Sequence, residues 1–276
     1  MEQRPYSTGT RKLLAGFSIL LVTISLYPLS SAPQIRPEIH ARQVLEAYKR
    51  SYPDRVSSVS WKNDDWIIDV GGEVFYWANG RLLPEELRDK WQDFKPYVFY
   101  LYPEEAPDPK SYSPERIAEL QKIGSAEHQM QGPDHHNGFR SALYGGTKRG
   151  EIEQNLVQVR FLGRIISVHR MIENQVQQID ERIRMLAKSD PEVAQFLKNL
   201  GTIGGYNWRE IRGTSRISMH SFGLAIDIQP RKLGSKAIYW QWEQERNPRW
   251  MLVSQNNRWA PPAAVIKAFE DQGFVW

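Results

Sequence analysis

The segment between Ser218 and Asp227, SMHSFGLAID, holds residue types that can do chemistry. From position 223 the letters GLAIDIQ alternate between larger apolar residues and small or polar ones, which predicts a strand. Asp227 is then an acid on an otherwise apolar strand, and a buried carboxylate needs a cation or several donors. An imidazole and a carboxylate are typical zinc ligands, so His220 and Asp227 are predicted to hold a divalent metal ion. The small residues Gly223 and Ala225 are predicted to leave room for a ligand.

The other histidines fit structural roles. His169 lies on an apolar stripe, which favours a hydrogen-bonded core histidine or one that supports a site from behind. His135 and His136, in the loop PDHHNG, could bind a metal ion, although a solvated loop is the more common reading of such a pair. His40 falls in a short polar helix. His220 is therefore the candidate ligand.

The pattern Ser-x-His-x-x-Gly-x-Ala-x-Asp resembles the motif of the zinc D,D-peptidases. These include D-alanyl-D-alanine carboxypeptidases and dipeptidases, and share a fold with lysostaphin and the Hedgehog signalling domain. All five fixed positions are present: Ser218, His220, Gly223, Ala225 and Asp227. The resemblance covers about residues 160–276, including GGYNWREIRG at 204–213 and the end of the chain from Phe269.

The resemblance implies a role for four residues. His220 and Asp227 would be two of three protein ligands to Zn²⁺, while Arg209 and Ser218 would bind the substrate. Arg209 would stabilise a substrate carboxylate or the developing oxyanion, although a surface salt bridge is the other reading of this residue. Zinc would activate water for attack on a peptide bond. The implied substrates are the D-Ala-containing stem peptides of peptidoglycan, which indicates a D-alanyl-D-alanine carboxypeptidase.

The chain departs from the family pattern near its end. The family has a third ligand, a late His, with a catalytic acid shortly before it, whereas no His follows His220 here. Glu270 and Asp271 could replace the acid only from the last predicted helix. We therefore expect the sequence to be truncated, the general base to lie beyond Trp276, and these 276 residues to have little or no activity. The alternatives are an inactive module that binds cell-wall peptides and an envelope structural protein.

Composition excludes several other classes. With 36 basic and 32 acidic residues the chain is close to neutral, so nothing favours binding to nucleic acid. The absence of Cys excludes disulfides, thiolate metal sites and thiol nucleophiles. Arg11 and Lys12 precede an apolar run at 13–29, and small residues follow, which predicts a signal peptide or a signal anchor over 1–32. The protein is thus expected outside the cytoplasm in the cell envelope, either periplasmic or membrane-anchored through 13–29.

The patterns predict an α+β fold, in which a small antiparallel sheet bears the metal site and packs against helices. A helix at 37–51 and a meander at 55–83, with the hairpin signals Asn-Asp, Gly-Gly and Asn-Gly, form a small N-terminal αβ module at 36–105. A proline-rich linker or irregular segment is expected at 106–153, and an incomplete catalytic core at 154–276. In that core we expect a long amphipathic helix over about 154–188, a helix from Asp190 to Gly201, and a last helix between Pro261 and Gly273.

Overall fold

The computed structural model describes residues 37–97, 108–125, 132–209 and 217–276. The expected leader at 1–32, with its apolar run at 13–29, lies outside these residues. Among the described residues, no helix combines the length and apolar character needed to cross a membrane.

The N-terminal part consists of one helix and a three-stranded antiparallel sheet in the order β1-β2-β3. Its elements are α1 (Pro37–Ser51), β1 (Val56–Lys62), β2 (Asp65–Val70) and β3 (Glu73–Tyr76). Asn63 and Asp64 take positive φ values of 52° and 60° in the first hairpin, and two glycines make the second. The predicted helix and meander are confirmed.

The expectation of an irregular segment at 106–153 is wrong for much of its described part. Three helices lie there, namely α2 (Pro114–Gly124), α3 (Gly138–Tyr144) and α4 (Arg149–Glu153). Pro114 begins a helix instead of preventing one, because Ser113 accepts a hydrogen bond from the Arg116 amide (3.2 Å) and proline fits the first helical position.

The prediction of a long helix at about 154–188 is also wrong for the first half of that range. Residues 156–169 form the hairpin of β4 (Leu156–Phe161) and β5 (Arg164–His169), and α5 (Glu173–Leu186) begins only afterwards. Leu162 and Gly163 make the turn with φ values of 46° and 82°. The run LVQVRFLGRIISVH satisfies both periodicities, and its β-branched residues and internal Gly decide for strands. In α5 the predicted stripe is confirmed, since Val176, Ile179 and Ile183 are fully buried.

The remaining elements surround the candidate site. They are α6 (Pro191–Lys198), β6 (Leu200–Gly204), β7 (Asp227–Pro230), α7 (Trp240–Gln244) and α8 (Ala263–Glu270). Asp190 caps α6 as predicted, by accepting from the amides of Glu192 (2.9 Å) and Val193 (3.2 Å). Gly201 does not end this helix, which stops at Lys198. It lies in β6 instead, where an added Cβ would meet the β7 backbone at 2.9 Å.

The fold is α+β, as predicted, with three small antiparallel sheets among the described residues: β1-β2-β3, β4-β5 and β6-β7. A continuous set of buried apolar side chains runs from Val44 in α1 to Phe274 after α8. Helix α3 lies between the N-terminal sheet and the site. Phe139 contacts Phe75 (ring centroids 5.6 Å apart), and Tyr144 contacts Phe222 (5.2 Å).

Candidate metal site

His220 lies in a single 3₁₀ turn, Met219–Phe222. The side chain of Ser218 caps this turn by accepting a hydrogen bond from the His220 amide (3.3 Å). Gly223 ends it in the left-handed region, with φ of 68°, where an L-residue is strained. The strand expected at 223–229 is correct only in its second half, because residues 224–226 have no regular structure and the strand begins at Asp227.

The imidazole of His220 is buried and its orientation is set by a backbone carbonyl. Nδ1 lies 2.7 Å from the oxygen of Gly205. A carbonyl can only accept, so Nδ1 carries the proton. In the neutral ring Nε2 then holds the lone pair that a metal ion requires, and this atom lies 3.2 Å from Oδ1 of Asp227.

Asp227 faces the open side of β7, and its side chain is 59% exposed. The expectation of a buried acid is therefore wrong. The alternation along the strand is real, since Ile228 is buried, but the opposite face of this two-stranded sheet meets solvent. Partial burial raises the pKa of Asp227, while the hydrogen bond and charge that a doubly protonated His220 supplies, together with the charge of Arg209, outweigh this effect and hold it below its ordinary value. A metal ion would take the place of the Nε2 proton.

Arg209 reaches the same opening. Its Nη2 lies 3.9 Å from Oδ2 of Asp227, and both side chains are about half exposed. An ion pair that is this long and this exposed contributes little to stability. The structure thus brings Arg209, His220 and Asp227 together, and the guanidinium remains accessible to an anion.

Ser218, the fourth predicted site residue, is largely buried. Its hydroxyl is used in capping the turn, and its amide donates to the carbonyl of Arg209 (3.2 Å). It therefore supports both His220 and Arg209. Its contact with a substrate stays a prediction.

Two glycines allow β5 to pack directly behind the site. A Cβ on Gly205 would lie 2.3 Å from the carbonyl oxygen of Ser167, and one on Gly223 would lie 2.7 Å from the amide nitrogen of His169. The backbones bond at both places: the Tyr206 amide donates to Ser167 (2.7 Å), and the His169 amide donates to Gly223 (2.9 Å). The room expected beside Gly223 is therefore filled by a strand and not by a ligand.

His169 is a buried core histidine, in agreement with the structural interpretation. Its Nε2 donates to the carbonyl of Tyr144 (3.0 Å), and its Nδ1 accepts from the amide of Met171 (3.1 Å). Burial lowers the pKa of His169. The hydrogen bond to Tyr144 acts in the opposite direction, and the charges of Arg170 and Arg55 lower the pKa further. This residue fastens β5 to α3 instead of binding a metal ion.

The His135–His136 loop is half-buried and not freely solvated. Nδ1 of His135 lies 3.0 Å from the carbonyl oxygen of Lys95, and its ring stacks on Tyr97 with centroids 4.8 Å apart. His136 accepts from the amide of Gly138 (3.3 Å). Both rings serve local packing.

Several residues of the 219–228 segment line an apolar pocket. Ala225 is one of them, so this small residue does border open space. The full lining is Met219, Leu224, Ala225, Ile226, Ile228, Pro261, Ile266, Phe269, Phe274 and Trp276.

Two residues of the site were missed by sequence reasoning. Gly205 orients His220 through its carbonyl, and Ser221, which is fully buried, bonds the backbone of Arg209. The Gly-Gly pair before Tyr206 was a usable signal of close backbone approach. No sequence signal marked Ser221, because a serine inside a motif does not show which backbone groups its hydroxyl will bond.

The His220–Asp227 pair fits zinc as far as two ligands can. Zinc–ligand bonds of ~2.0–2.2 Å in tetrahedral geometry put two ligand atoms about 3.3–3.6 Å apart, a little more than the observed 3.2 Å. Across residues 37–97, 108–125, 132–209 and 217–276, no group of three His, Cys, Asp or Glu side chains is arranged to hold a metal ion.

Comparisons with known proteins agree with the sequence motif. A family model described as D-alanyl-D-alanine carboxypeptidase matches residues 212–276, which include Ser218, His220 and Asp227. A second model, described as a domain of unknown function, matches residues 44–99 in the N-terminal part. No curated protein and no solved structure matches the chain. The segment that carries both candidate metal ligands is thus similar to the D-alanyl-D-alanine carboxypeptidase family of peptidases.

Proposed function

We propose that this protein is a zinc-dependent peptidase of the cell envelope that acts on D-Ala-containing stem peptides of peptidoglycan, as a D-alanyl-D-alanine carboxypeptidase. The observation that carries the proposal is the pairing of His220 and Asp227. Nε2 faces Oδ1 at 3.2 Å while Nδ1 is held by a carbonyl, which is how metal-binding imidazoles are oriented in proteins. The family match over 212–276 supports it.

His220 and Asp227 would hold the metal ion. Bound zinc supplies a Lewis acid that polarises the scissile carbonyl and lowers the pKa of water. The Gly205 carbonyl keeps the imidazole in the tautomer that presents Nε2. Because Asp227 has a depressed pKa, its carboxyl group is ionised at neutral pH, as a ligand must be.

Arg209 would bind the C-terminal carboxylate of the peptide. A guanidinium presents paired donors that match the two oxygens of a carboxylate. Charge-assisted hydrogen bonds of this kind are stronger than those between neutral groups. Its only ion pair in the described structure is the 3.9 Å contact with Asp227, which a substrate carboxylate could replace at small cost.

The resemblance implies a third ligand and a general base as well, and it alone carries that part of the proposal. With the two protein ligands that the described residues supply, we expect weak zinc binding and very low turnover.

A second candidate function is a module that binds cell-wall peptides without cleaving them. The accessible guanidinium of Arg209 favours it, since a cation of this kind can hold a peptide carboxylate whether or not catalysis follows. Both candidates place the protein in the envelope, on the strength of the apolar run at 13–29. Fractionation of cells that express the full chain tests that location.

The deciding experiment combines zinc titration, by competition with a chromophoric chelator, with incubation of a stem pentapeptide ending in D-Ala-D-Ala. Released D-Ala is measured by mass spectrometry. His220→Ala should abolish zinc binding and any cleavage, while the control His40→Ala, in α1, should change neither.

Zinc-dependent release of D-Ala that His220→Ala removes supports the peptidase. Peptide binding without release of D-Ala supports the binding module. Cleavage that survives His220→Ala would show the metal assignment to be wrong.

A further inference from the structure

The chain before the site, residues 205–209, is fastened to the turn that carries His220. Nδ1 of His220 donates to Gly205, and the carbonyl of His220 accepts from the amide of Asn207 (3.1 Å). At the end of this segment the carbonyl of Arg209 accepts from the amide of Ser218 (3.2 Å). The segment is thus held by tertiary hydrogen bonds and not by a helix or sheet.

Ser221 makes the contacts that hold Arg209. Its Oγ accepts a hydrogen bond from the Arg209 amide at 2.8 Å and donates to the Arg209 carbonyl at 2.7 Å. A weaker alternative acceptor is the carbonyl of Asn207 at 3.3 Å. A single buried hydroxyl therefore bonds both backbone groups of Arg209.

These bonds matter because the ion pair of Arg209 within the described residues is weak. Its guanidinium is half exposed and lies 3.9 Å from Asp227, and such a contact does not fix a long side chain. A fixed Arg209 backbone limits the region that the flexible side chain can reach, and so keeps the guanidinium within reach of the opening.

The position of Ser221 next to His220 also raises the question of a Ser–His nucleophile pair. The structure does not support it. The hydroxyl is fully buried and its proton is donated to a carbonyl, while Nδ1 of His220 is bonded to Gly205 and Nε2 faces Asp227. The hydroxyl acts on the backbone of Arg209 and not on a substrate.

We propose that Ser221 is a positioning residue that sets Arg209 to receive the carboxylate of a bound peptide. This inference rests on the proposed function, because it assigns Arg209 to an anionic peptide end. It adds a residue that lies outside the fixed positions of the motif.

The test uses the full chain and Ser221→Ala, with Ser58→Ala on the exposed β1 strand as the matched control. Hydrogen exchange of the Arg209 amide should accelerate about tenfold or more in Ser221→Ala, because its acceptor is removed. Affinity for a stem pentapeptide ending in D-Ala-D-Ala, measured by calorimetry, should fall about fivefold. Zinc affinity, which depends on His220 and Asp227, should change less than about twofold. A residue that merely stabilised the fold would lower peptide and zinc affinity together.

A double-mutant cycle completes the test. In an Arg209→Ala background, Ser221→Ala should cost no further peptide affinity. Ser221→Cys keeps a weak donor in nearly the same volume, so it should lose less peptide affinity than Ser221→Ala. It takes the place of Ser221→Ala in the test if that variant does not fold.

Unchanged exchange at the Arg209 amide, or an equal loss of peptide affinity in the Arg209→Ala background, would overturn the positioning role. If the unmodified chain binds no peptide, the proposed function fails instead. The exchange measurement then decides by itself whether Ser221 holds Arg209.

Discussion

The N-terminal sheet of residues 56–76 and the site segment of residues 200–230 are both antiparallel, but they are held together differently. Strands β1 to β3 follow one another through tight hairpins, so their hydrogen bonds join near neighbours in the chain. In the site segment, β6 and β7 are far apart in sequence. The described residues between them are bonded to β5 through backbone groups, and to one another through backbone groups and the side chains of His220 and Ser221. The comparison teaches that the sheet is specified locally, whereas the site depends on distant contacts.

Phe139 in α3 tests whether the two regions are one cooperative unit. Its ring is buried against Tyr48 and Phe75, while the same helix reaches Phe222 through Tyr144. Phe139→Ala should lower the free energy of unfolding by about 3–5 kcal/mol, measured by urea denaturation. Zinc binding should then be lost in the same transition. Trp61→Ala, at an exposed position, should cost about 0.5 kcal/mol or less. Two separate transitions would show that the regions unfold independently.

Two glycines make a matched pair for comparing the regions. Gly205→Ala should cost about 3 kcal/mol and weaken zinc binding, because the new Cβ would lie 2.3 Å from the backbone of Ser167 and push β5 away from the site. Gly72→Ala, in the β2–β3 turn, meets open space and should cost only the strain of a φ of +89°, about 1 kcal/mol. Equal losses of unfolding free energy in the two variants would remove the contrast between the regions.

Acid should affect the site region through His169, whereas residues 56–76 contain no histidine. Burial lowers the pKa of His169 below 6.5, so the unfolded chain binds a proton more readily than the folded one. The stability contributed by the neutral ring is fully present above pH 6.5 and is lost as the pH falls below it. His169→Gln can still donate to Tyr144 but cannot titrate. At pH 7.5 the free energy of unfolding of His169→Gln should be about 1 kcal/mol lower than that of the unmodified protein. Between pH 7.5 and pH 5 it should fall less steeply than in the unmodified protein. Parallel stability curves for the two proteins would contradict this.

Sequence reasoning succeeded where the signal was local. The helix at 37–51, the meander after it, the cap at Asp190 and the last helix before Gly273 each depend on residues within a few positions of one another. It failed over 154–169, where one run of residues suits both a helix and a hairpin. Its β-branched residues and internal Gly favour the hairpin, and the pairing of Val159 with Ile166 and the packing of β5 against Gly205 and Gly223 stabilise it.

The site shows the same division. The motif brought out Ser218, His220 and Asp227 directly, and Arg209 through the resemblance, and the structure places all four at or next to one opening. The burial of Asp227 was predicted wrongly, because alternation along a strand does not say whether its second face is covered. Assignment of the zinc site and of the substrate contacts stays a prediction.

The sequence by itself determined the residue types at the site and the class of the fold, since these follow from side-chain chemistry and local backbone preference. Tertiary structure decided which nitrogen of His220 faces Asp227, how exposed Asp227 is, and what holds Arg209 in place. These properties depend on the carbonyl of Gly205 and the hydroxyl of Ser221. Such partners are chosen by packing across the chain, and a hydrogen bond between distant residues leaves no periodic trace in the sequence.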